Sequence, residues 1–176
     1  MVKARAVYKT LLFTGTLYSD SQYFIKAYAA LQEVFGEVIM ETPPMSWDFS
    51  GYYQDEMGSS IKRRFLFFKR PLMPDALAGA KLKTIAIESI LSIDGKRQIN
   101  LDPGYLTPAK IVLATTKDYS HRIYLHDGIF AEATLLFKGK RYMPHLHTYN
   151  DYKDDRYQKF FLLGREMFFL LKMNEQ

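Results

Sequence analysis

Side chains that can carry out phosphoryl or acyl chemistry are concentrated between Asn100 and Arg122. Lys117, His121 and Arg122 could hold phosphate oxygens, and an arginine can do so with two parallel hydrogen bonds. Asp118 lies three residues before His121 and could orient its imidazole as an acid/base pair. The segment predicts a site for a small anionic, phosphate-bearing ligand such as a nucleotide. A hydrolase or phosphotransferase that uses Asp118 and His121 is the alternative.

A second part of the predicted site lies at Asp102, which could act as a base or hold Mg²⁺; the cofactor stays open. Asp102 opens an Asp-Pro-Gly sequence, which favours a turn. The alternative without a function is that this turn and the loop at 117–122 only carry solvated charges. If the strand between them is straight, its roughly 12 residues at about 3.3 Å each put the two loops at opposite ends of a sheet. The other predicted ligand contacts are Lys110, Tyr52, Tyr53 and Arg63.

A metal site is the next candidate, at His145 and His147. On an extended segment both rings point to one side, and Asp151 could add a carboxylate. Pro144 and the polar residues that follow favour a surface loop instead, so no metal site is predicted. The sequence contains no Cys, which excludes a Cys-based zinc site, a disulfide and a Cys nucleophile.

Nucleic-acid binding is a further alternative, based on Phe13, Phe65 and Phe67. The sequences around these rings resemble the two motifs of the RNA-recognition motif, which stacks bases on exposed aromatic side chains. An apolar C-terminal helix is expected to cover that sheet face, so this interpretation is not favoured. The same helix, through residues 160–171, could instead form a homodimer.

The length, net charge and overall composition of the chain favour an ordinary cytoplasmic protein. A chain of 176 residues fits one domain. A formal charge of +5 mildly favours anionic partners. No apolar leader follows Met1, and no apolar stretch approaches the roughly 20 residues of a membrane span, so no membrane partner is expected. A Gly-x4-Gly-Lys-Ser/Thr phosphate loop is absent, which argues against a P-loop GTPase.

The hydrophobic pattern predicts an α+β fold with one domain over 1–176. Residues 1–106 show the order β-α-β-β-α-β, which predicts a ferredoxin-like core. Its first helix opens at Ser19, where Gln22 completes a capping box. Residues 107–176 predict an antiparallel meander and a covering helix at 154–173, which do not fold independently. The predicted strands are 10–16, 38–42, 63–69, 98–101, 110–116, 121–125 and 130–137.

Several longer motifs accompany these elements. They are Leu-Tyr-Ser at 17–19, Lys-Arg-Arg-Phe at 62–65, Asn-Leu-Asp-Pro-Gly-Tyr at 100–105 and the run from Ala114 to Leu125. Through them nearly the whole chain resembles the bacterial and archaeal family called domain of unknown function 4416. The resemblance implies a prokaryotic protein but adds no activity, since the family is named for the lack of one.

Overall fold

The computed structural model describes residues 7–173; the predicted absence of a leader after Met1 concerns residues outside this range. The strands are β1 (Leu11–Tyr18), β2 (Val38–Glu41), β3 (Met45–Ser46), β4 (Lys62–Phe68), β5 (Ile99–Leu106), β6 (Lys110–Thr115), β7 (Ile123–Tyr124), β8 (Phe130–Lys138) and β9 (Arg141–Pro144). The helices are α1 (Ser21–Phe35), α2 (Gln54–Met57), α3 (Leu77–Ile90) and α4 (Asp155–Leu170).

All nine strands belong to one antiparallel sheet, so the fold is of the mixed α and β class. The order along the sheet is β2-β4-β1-β5-β6-β8-β7, while β3 also pairs with β4 and β9 with β8. Helices α1 and α3 pack on one face of this sheet. Helix α4 packs on the other face. Within residues 7–173, no helix is both long and apolar enough to cross a membrane.

Strand β4 is buried on both faces, as its consecutive apolar residues predict. Phe65 and Phe67 pack against the α4 side of the sheet, and Leu66 and Phe68 pack against the α1 and α3 side. All four side chains are fully buried. Helix α4 covers one face of β4, and helices α1 and α3 cover the other.

The start of α1 differs by one residue from the predicted capping box. Asp20, not Ser19, is the N-cap, and its carboxylate accepts a hydrogen bond from the backbone N–H of Gln22 at 2.9 Å. Ser19 instead donates its hydroxyl proton to the carbonyl of Met57. Gly36 ends the helix with a φ of 92°, a conformation that favours glycine, as predicted.

The predicted turn at Asp102 is wrong, because Asp-Pro-Gly lies in the middle of β5. Asp102 pairs with Gly15, and Gly104 pairs with Phe13. A Cβ on Gly104 would lie 2.7 Å from the ring of Phe13 and 2.5 Å from the carbonyl oxygen of Val112, so this glycine is needed for close strand packing. The long pairing with β1 outweighs the local turn preference of the tripeptide.

The second half of the sheet follows the predicted meander, with one shortened strand. Strand β7 covers two residues rather than 121–125, and α4 ends at Leu170 rather than 173. Asp127 and Gly128 have φ values of 52° and 74°, which form the predicted hairpin turn between β7 and β8.

Candidate functional site

Strands β5 and β6 separate at one end and leave a cavity between them. Their pairing extends from Leu106 and Ile111 to Gly104 and Leu113, and not beyond. The cavity has a volume of about 340 Å³. Its walls come from β4, β5, β6, β8 and α3, and from the two segments around residues 47–53 and 149–152. The polar lining residues are Ser50, Tyr52, Tyr53, Arg63, Lys81, Arg97, Asn100, Asp102, Thr115, Thr116, Lys117, Glu132, Tyr149, Asp151 and Tyr152.

Helix α3 satisfies the backbone groups of β5 that face this opening. The N–H of Leu101 donates to Glu88, and its carbonyl oxygen accepts from Lys81 Nζ at 2.8 Å. Lys81 and Glu88 are seven residues apart, so they lie on the same side of the helix two turns apart. Burial raises the pKa of Glu88 despite the nearby ammonium group of Lys81. The nitrogen of Pro103 lies on the same side of β5 as that of Leu101, which faces away from β1. The N–H that proline lacks therefore removes no hydrogen bond with β1.

Arg63 provides a buried positive charge in the wall of the cavity. Its guanidinium Nη2 donates to Asp151, which also accepts a hydrogen bond from the indole of Trp47 at 3.1 Å. Burial acts to lower the pKa of Arg63, but the carboxylates of Asp151 and Asp102 together with neighbouring tyrosines raise it, so the group stays charged. Among residues 7–173, Nη1 of Arg63 has no hydrogen-bond partner, and it approaches Asp102 Oδ2 at 3.6 Å.

Asp102 occupies the centre of the cavity rather than a loop. Its Oδ2 accepts a hydrogen bond of 2.8 Å from Asn100, and its Oδ1 lies 3.6 Å from Lys81 Nζ. Asn100 in turn accepts a hydrogen bond of 3.0 Å from Arg97, whose Nε donates to Glu56 at 2.8 Å. The carboxylate thus lies between two basic side chains, Arg63 and Lys81.

A second buried group of charges is centred on Glu132. Its Oε2 accepts a hydrogen bond from Arg122 Nε at 2.9 Å and lies 3.2 Å from His121 Nε2. Arg122 also donates to the carbonyl of Lys117 and to the hydroxyl of Tyr149. Arg122 therefore holds three cavity residues in place and does not itself line the cavity.

The predicted pair of Asp118 and His121 is not formed. Asp118 is exposed, and the carboxylate beside His121 is that of Glu132. His121 lies outside the cavity lining, where its ring stacks on that of His147 with centroids 4.4 Å apart. Eleven residues separate His121 from Glu132, so only the pairing of strands could bring them together.

The other predicted residues divide between the cavity and the surface. Lys117, Tyr52 and Tyr53 line the cavity, and Lys117 Nζ lies 4.7 Å from the centre of the Tyr52 ring. Lys110 is exposed at the far end of β6. Asp102 shares the cavity with Lys117, which the sequence had left open. The chain reverses after β5, and the antiparallel β6 returns alongside it.

The predicted metal candidates do not converge on one point. His145 Nε2 lies 2.6 Å from the carbonyl of Ala133, while Asp151 is bound to Arg63. In the part of the chain that the structure describes, no three His, Cys, Asp or Glu side chains are grouped so that they could hold a metal ion. Asp102, proposed for Mg²⁺, is flanked by cations instead.

The predicted base-stacking rings are not available at the surface. Phe13, Phe65 and Phe67 are fully buried. They contact Phe161 of α4 with centroid distances of 5.4, 5.2 and 6.4 Å. The RNA-recognition interpretation needs these rings exposed, so its structural basis is missing.

Several cavity residues were not predicted from the sequence, namely Trp47, Lys81, Arg97, Glu132, Tyr149 and Tyr152. Two of them carry a local signal. Lys81 directly follows the first turn of α3, residues 77–80, which has no polar side chain, and Glu132 lies between two alanines in a mainly apolar strand. A charge within an apolar pattern indicates a buried partner. The other four have no such signal, because their roles depend on segments distant in the chain.

The sheet and its charged cavity define a mixed α and β protein with a buried polar site between two splayed strands. Comparison with family models adds the family. The chain belongs to the family described as Domain of unknown function (DUF4416), whose model matches residues 8–168 and so includes every residue of the cavity. Neither the curated proteins nor the solved structures contain a match to the chain.

Proposed function

We propose that the cavity binds a small anionic, phosphate-bearing ligand. The observation that carries this proposal is the buried guanidinium of Arg63, whose Nη1 has no hydrogen-bond partner in residues 7–173. A buried charged donor without an acceptor is unfavourable. A ligand oxygen placed beside Nη1 would remove that cost, and phosphate oxygens are well matched to arginine.

The balance of charges in the cavity supports an anion. Its walls contain four cations and three carboxylates, which are Arg63, Lys81, Arg97, Lys117, Asp102, Glu132 and Asp151. Glu132 and Asp151 already accept hydrogen bonds from buried arginines. Lys117 is exposed at the rim and can move towards a ligand. The volume of about 340 Å³ suits a small molecule.

We also propose a ferredoxin-like arrangement as the finer description of the fold. The order β2-β4-β1-β5, with α1 and α3 on one face, supports the ferredoxin-like arrangement for the first half of the chain. In that arrangement the cavity lies where the core meets the added meander. The prokaryotic origin and the cytoplasmic location stay predictions made from the sequence.

Isothermal titration calorimetry with inorganic phosphate and pyrophosphate tests the binding. The wild-type protein should bind at least one of them, and Lys117→Ala should weaken that binding about fivefold or more, since a rim charge is lost. Lys138→Ala is the matched control, because Lys138 is equally exposed but lies at the turn between β8 and β9. Absence of heat with both anions, or equal weakening by both variants, contradicts the proposal.

A hydrolase or phosphotransferase remains the alternative, with Glu132 in the position that was predicted for Asp118. The observation in its favour is that Glu132 contacts His121 and also lines the cavity. It predicts release of phosphate from 4-nitrophenyl phosphate that Glu132→Gln abolishes. A wild-type protein without turnover excludes this activity on that substrate and leaves the binding proposal intact.

A homodimer through α4 also stays a prediction, with a changed surface. Phe160, Phe161 and Phe168 are buried against the chain's own sheet, so they are not available to a partner. Leu163, Phe169 and Leu170 are the exposed large apolar residues of that helix. Light scattering of the wild type and of Leu170→Lys distinguishes a dimer from a monomer.

A further inference from the structure

The three carboxylates of the cavity are not equivalent. Asp151 and Glu132 have side chains that are 7% and 1% exposed, and each accepts hydrogen bonds from an arginine and from further donors. Asp102 is 26% exposed. Its Oδ2 accepts one hydrogen bond from Asn100, while the cation nearest to Oδ1, Lys81 Nζ, stands 3.6 Å away. Asp102 is thus the carboxylate that can accept a hydrogen bond from a ligand.

The charges around Asp102 determine what kind of donor it can accept. Lys81 Nζ and Arg63 Nη1 each lie 3.6 Å from its oxygens. An ammonium group or a metal ion at Oδ1 would be repelled by both of these cations. A neutral hydroxyl group would not be repelled, and it would supply the missing hydrogen bond.

The anion-binding donor and this acceptor are side by side. Arg63 Nη1 lacks a hydrogen-bond partner within the described chain, and Asp102 Oδ2 lies 3.6 Å from it. One ligand can satisfy both only if it carries an anionic oxygen and a hydroxyl group a few bonds apart. A plain alkyl phosphate, in its dianionic form, supplies the first group without a hydroxyl group.

We propose that the ligand is a phosphate ester with a free hydroxyl group on its carbon skeleton, in which the phosphate contacts Arg63 and the hydroxyl donates to Asp102. This inference rests on the proposed function and narrows it. Sugar phosphates and nucleotides share this chemistry. Asp102 is then the residue that selects between phosphate esters, while Arg63 and Lys117 attract all of them.

Two probes that differ only in hydroxyl groups test the inference: glycerol 3-phosphate and n-propyl phosphate. The wild-type protein should bind glycerol 3-phosphate about tenfold more tightly, since a hydrogen bond to a charged acceptor is at stake. Titration calorimetry at neutral pH measures both affinities. Equal affinities for the two probes in the wild type overturn the inference, and this comparison needs no variant.

Asp102→Asn sharpens the test. The amide oxygen can still accept from Asn100, which leaves an NH₂ group where the carboxylate Oδ1 had accepted the hydroxyl proton. The tenfold preference should fall below about threefold, while n-propyl phosphate should bind as tightly as before or more tightly, because a negative charge is gone. Circular dichroism confirms that the variant is folded.

The outcomes separate the two proposals. If neither phosphate ester, inorganic phosphate nor pyrophosphate binds the wild type, the proposed function fails and this inference fails with it. If n-propyl phosphate binds but glycerol 3-phosphate binds no better, or if Asp102→Asn keeps the preference, only the inference about the hydroxyl group fails. Ribose 5-phosphate and adenosine 5′-monophosphate, compared with glycerol 3-phosphate, then distinguish a sugar phosphate from a nucleotide.

Discussion

The sheet face that α4 partly covers has two halves built from the same four strands. Along each strand, residues two apart point to the same side. In one half these positions are apolar: Leu11 and Phe13 of β1, Phe65 and Phe67 of β4, Leu106 of β5, and Ile111 and Leu113 of β6. In the other half most of them are small or polar: Gly15, Arg63, Asn100, Asp102 and Thr115, with Leu17 as an apolar exception.

The two halves are closed in different ways. Helix α4 lies on the apolar half, where Phe160 and Phe161 contact the rings of Phe65 and Phe67. The polar half is roofed by the segments around Trp47 and 149–152 and contains the cavity. Burial of aromatic rings stabilises the first half, whereas buried charges in the second bring little net stability. One face thus combines a stabilising apolar region with a polar cavity.

The largest expected effect is in the apolar half. Phe161→Ala removes a fully buried ring that contacts Phe13, Phe65 and Phe67, and it should lower the free energy of unfolding by about 3–5 kcal/mol. Urea denaturation measures the change. Phe169→Ala, at a half-exposed ring on the same helix, should cost less than about 1 kcal/mol. Similar losses from both variants would show that α4 does not close the core as described.

The polar half should respond differently, because a second substitution can restore the stability that the first one removes. Arg63→Met leaves Asp151 buried without its cation and should cost about 3 kcal/mol. The double variant with Asp151→Asn removes the unpaired charge, so it should recover a large part of the lost stability. Phosphate binding should be abolished in both variants, because both lack Arg63. Urea denaturation and calorimetry measure the two effects. Additive losses from the two changes would argue that the pair is not coupled.

Two helix glycines differ in the space around them: one packs tightly against the sheet, and the other has no close neighbour. A Cβ on Gly164 of α4 would lie 2.5 Å from the ring of Phe67, so Gly164→Ala should destabilise by about 1–3 kcal/mol. Gly79 of α3 has no such neighbour within 4 Å. Gly79→Ala should stabilise by about 0.5–1 kcal/mol through helix propensity alone. Thermal unfolding shows whether the two signs differ; a stabilising Gly164→Ala would mean that α4 lies farther from the sheet.

A small effect is expected at Asp154, where the cavity roof passes into α4. Its carboxylate caps the helix through the N–H of Arg156 at 2.8 Å, so Asp154→Ala should cost about 1 kcal/mol. Hydrogen bonding by the Arg156 side chain lowers the pKa of Asp154 below its usual value. A lowered pKa in the folded state means that the charge stabilises above about pH 4 and that this stabilisation disappears as the pH falls further.

Asp154→Asn isolates the charge, because asparagine also caps helices well. Its stability difference from the wild type should be present at pH 7 and should vanish near pH 2. Denaturation at both pH values measures it. A difference that persists at low pH would assign the effect to packing rather than to the carboxylate.

Local pattern predicted the elements of the fold more reliably than the site. The helix that begins near Ser21, the doubly buried strand around Phe65 and the hairpin at Asp127 all follow from residues within a few positions of each other. For the site, the pattern found the residue types and several cavity residues, including Asp102, Arg63 and Lys117. It assigned Asp118 to His121, because sequence distance was the only available guide to proximity.

By itself, then, the sequence determined which segments form helices and strands, which of their faces are apolar, and the family to which the chain belongs. Only the tertiary structure decided that Asp102 lies inside a strand, that Asp151 neutralises Arg63 from 88 positions away, and that Glu132 is the partner of His121. The physical reason is the range of the forces that decide each feature. Backbone propensity and side-chain periodicity act over a few residues, whereas the pairing of buried charges depends on which strands become neighbours in the sheet.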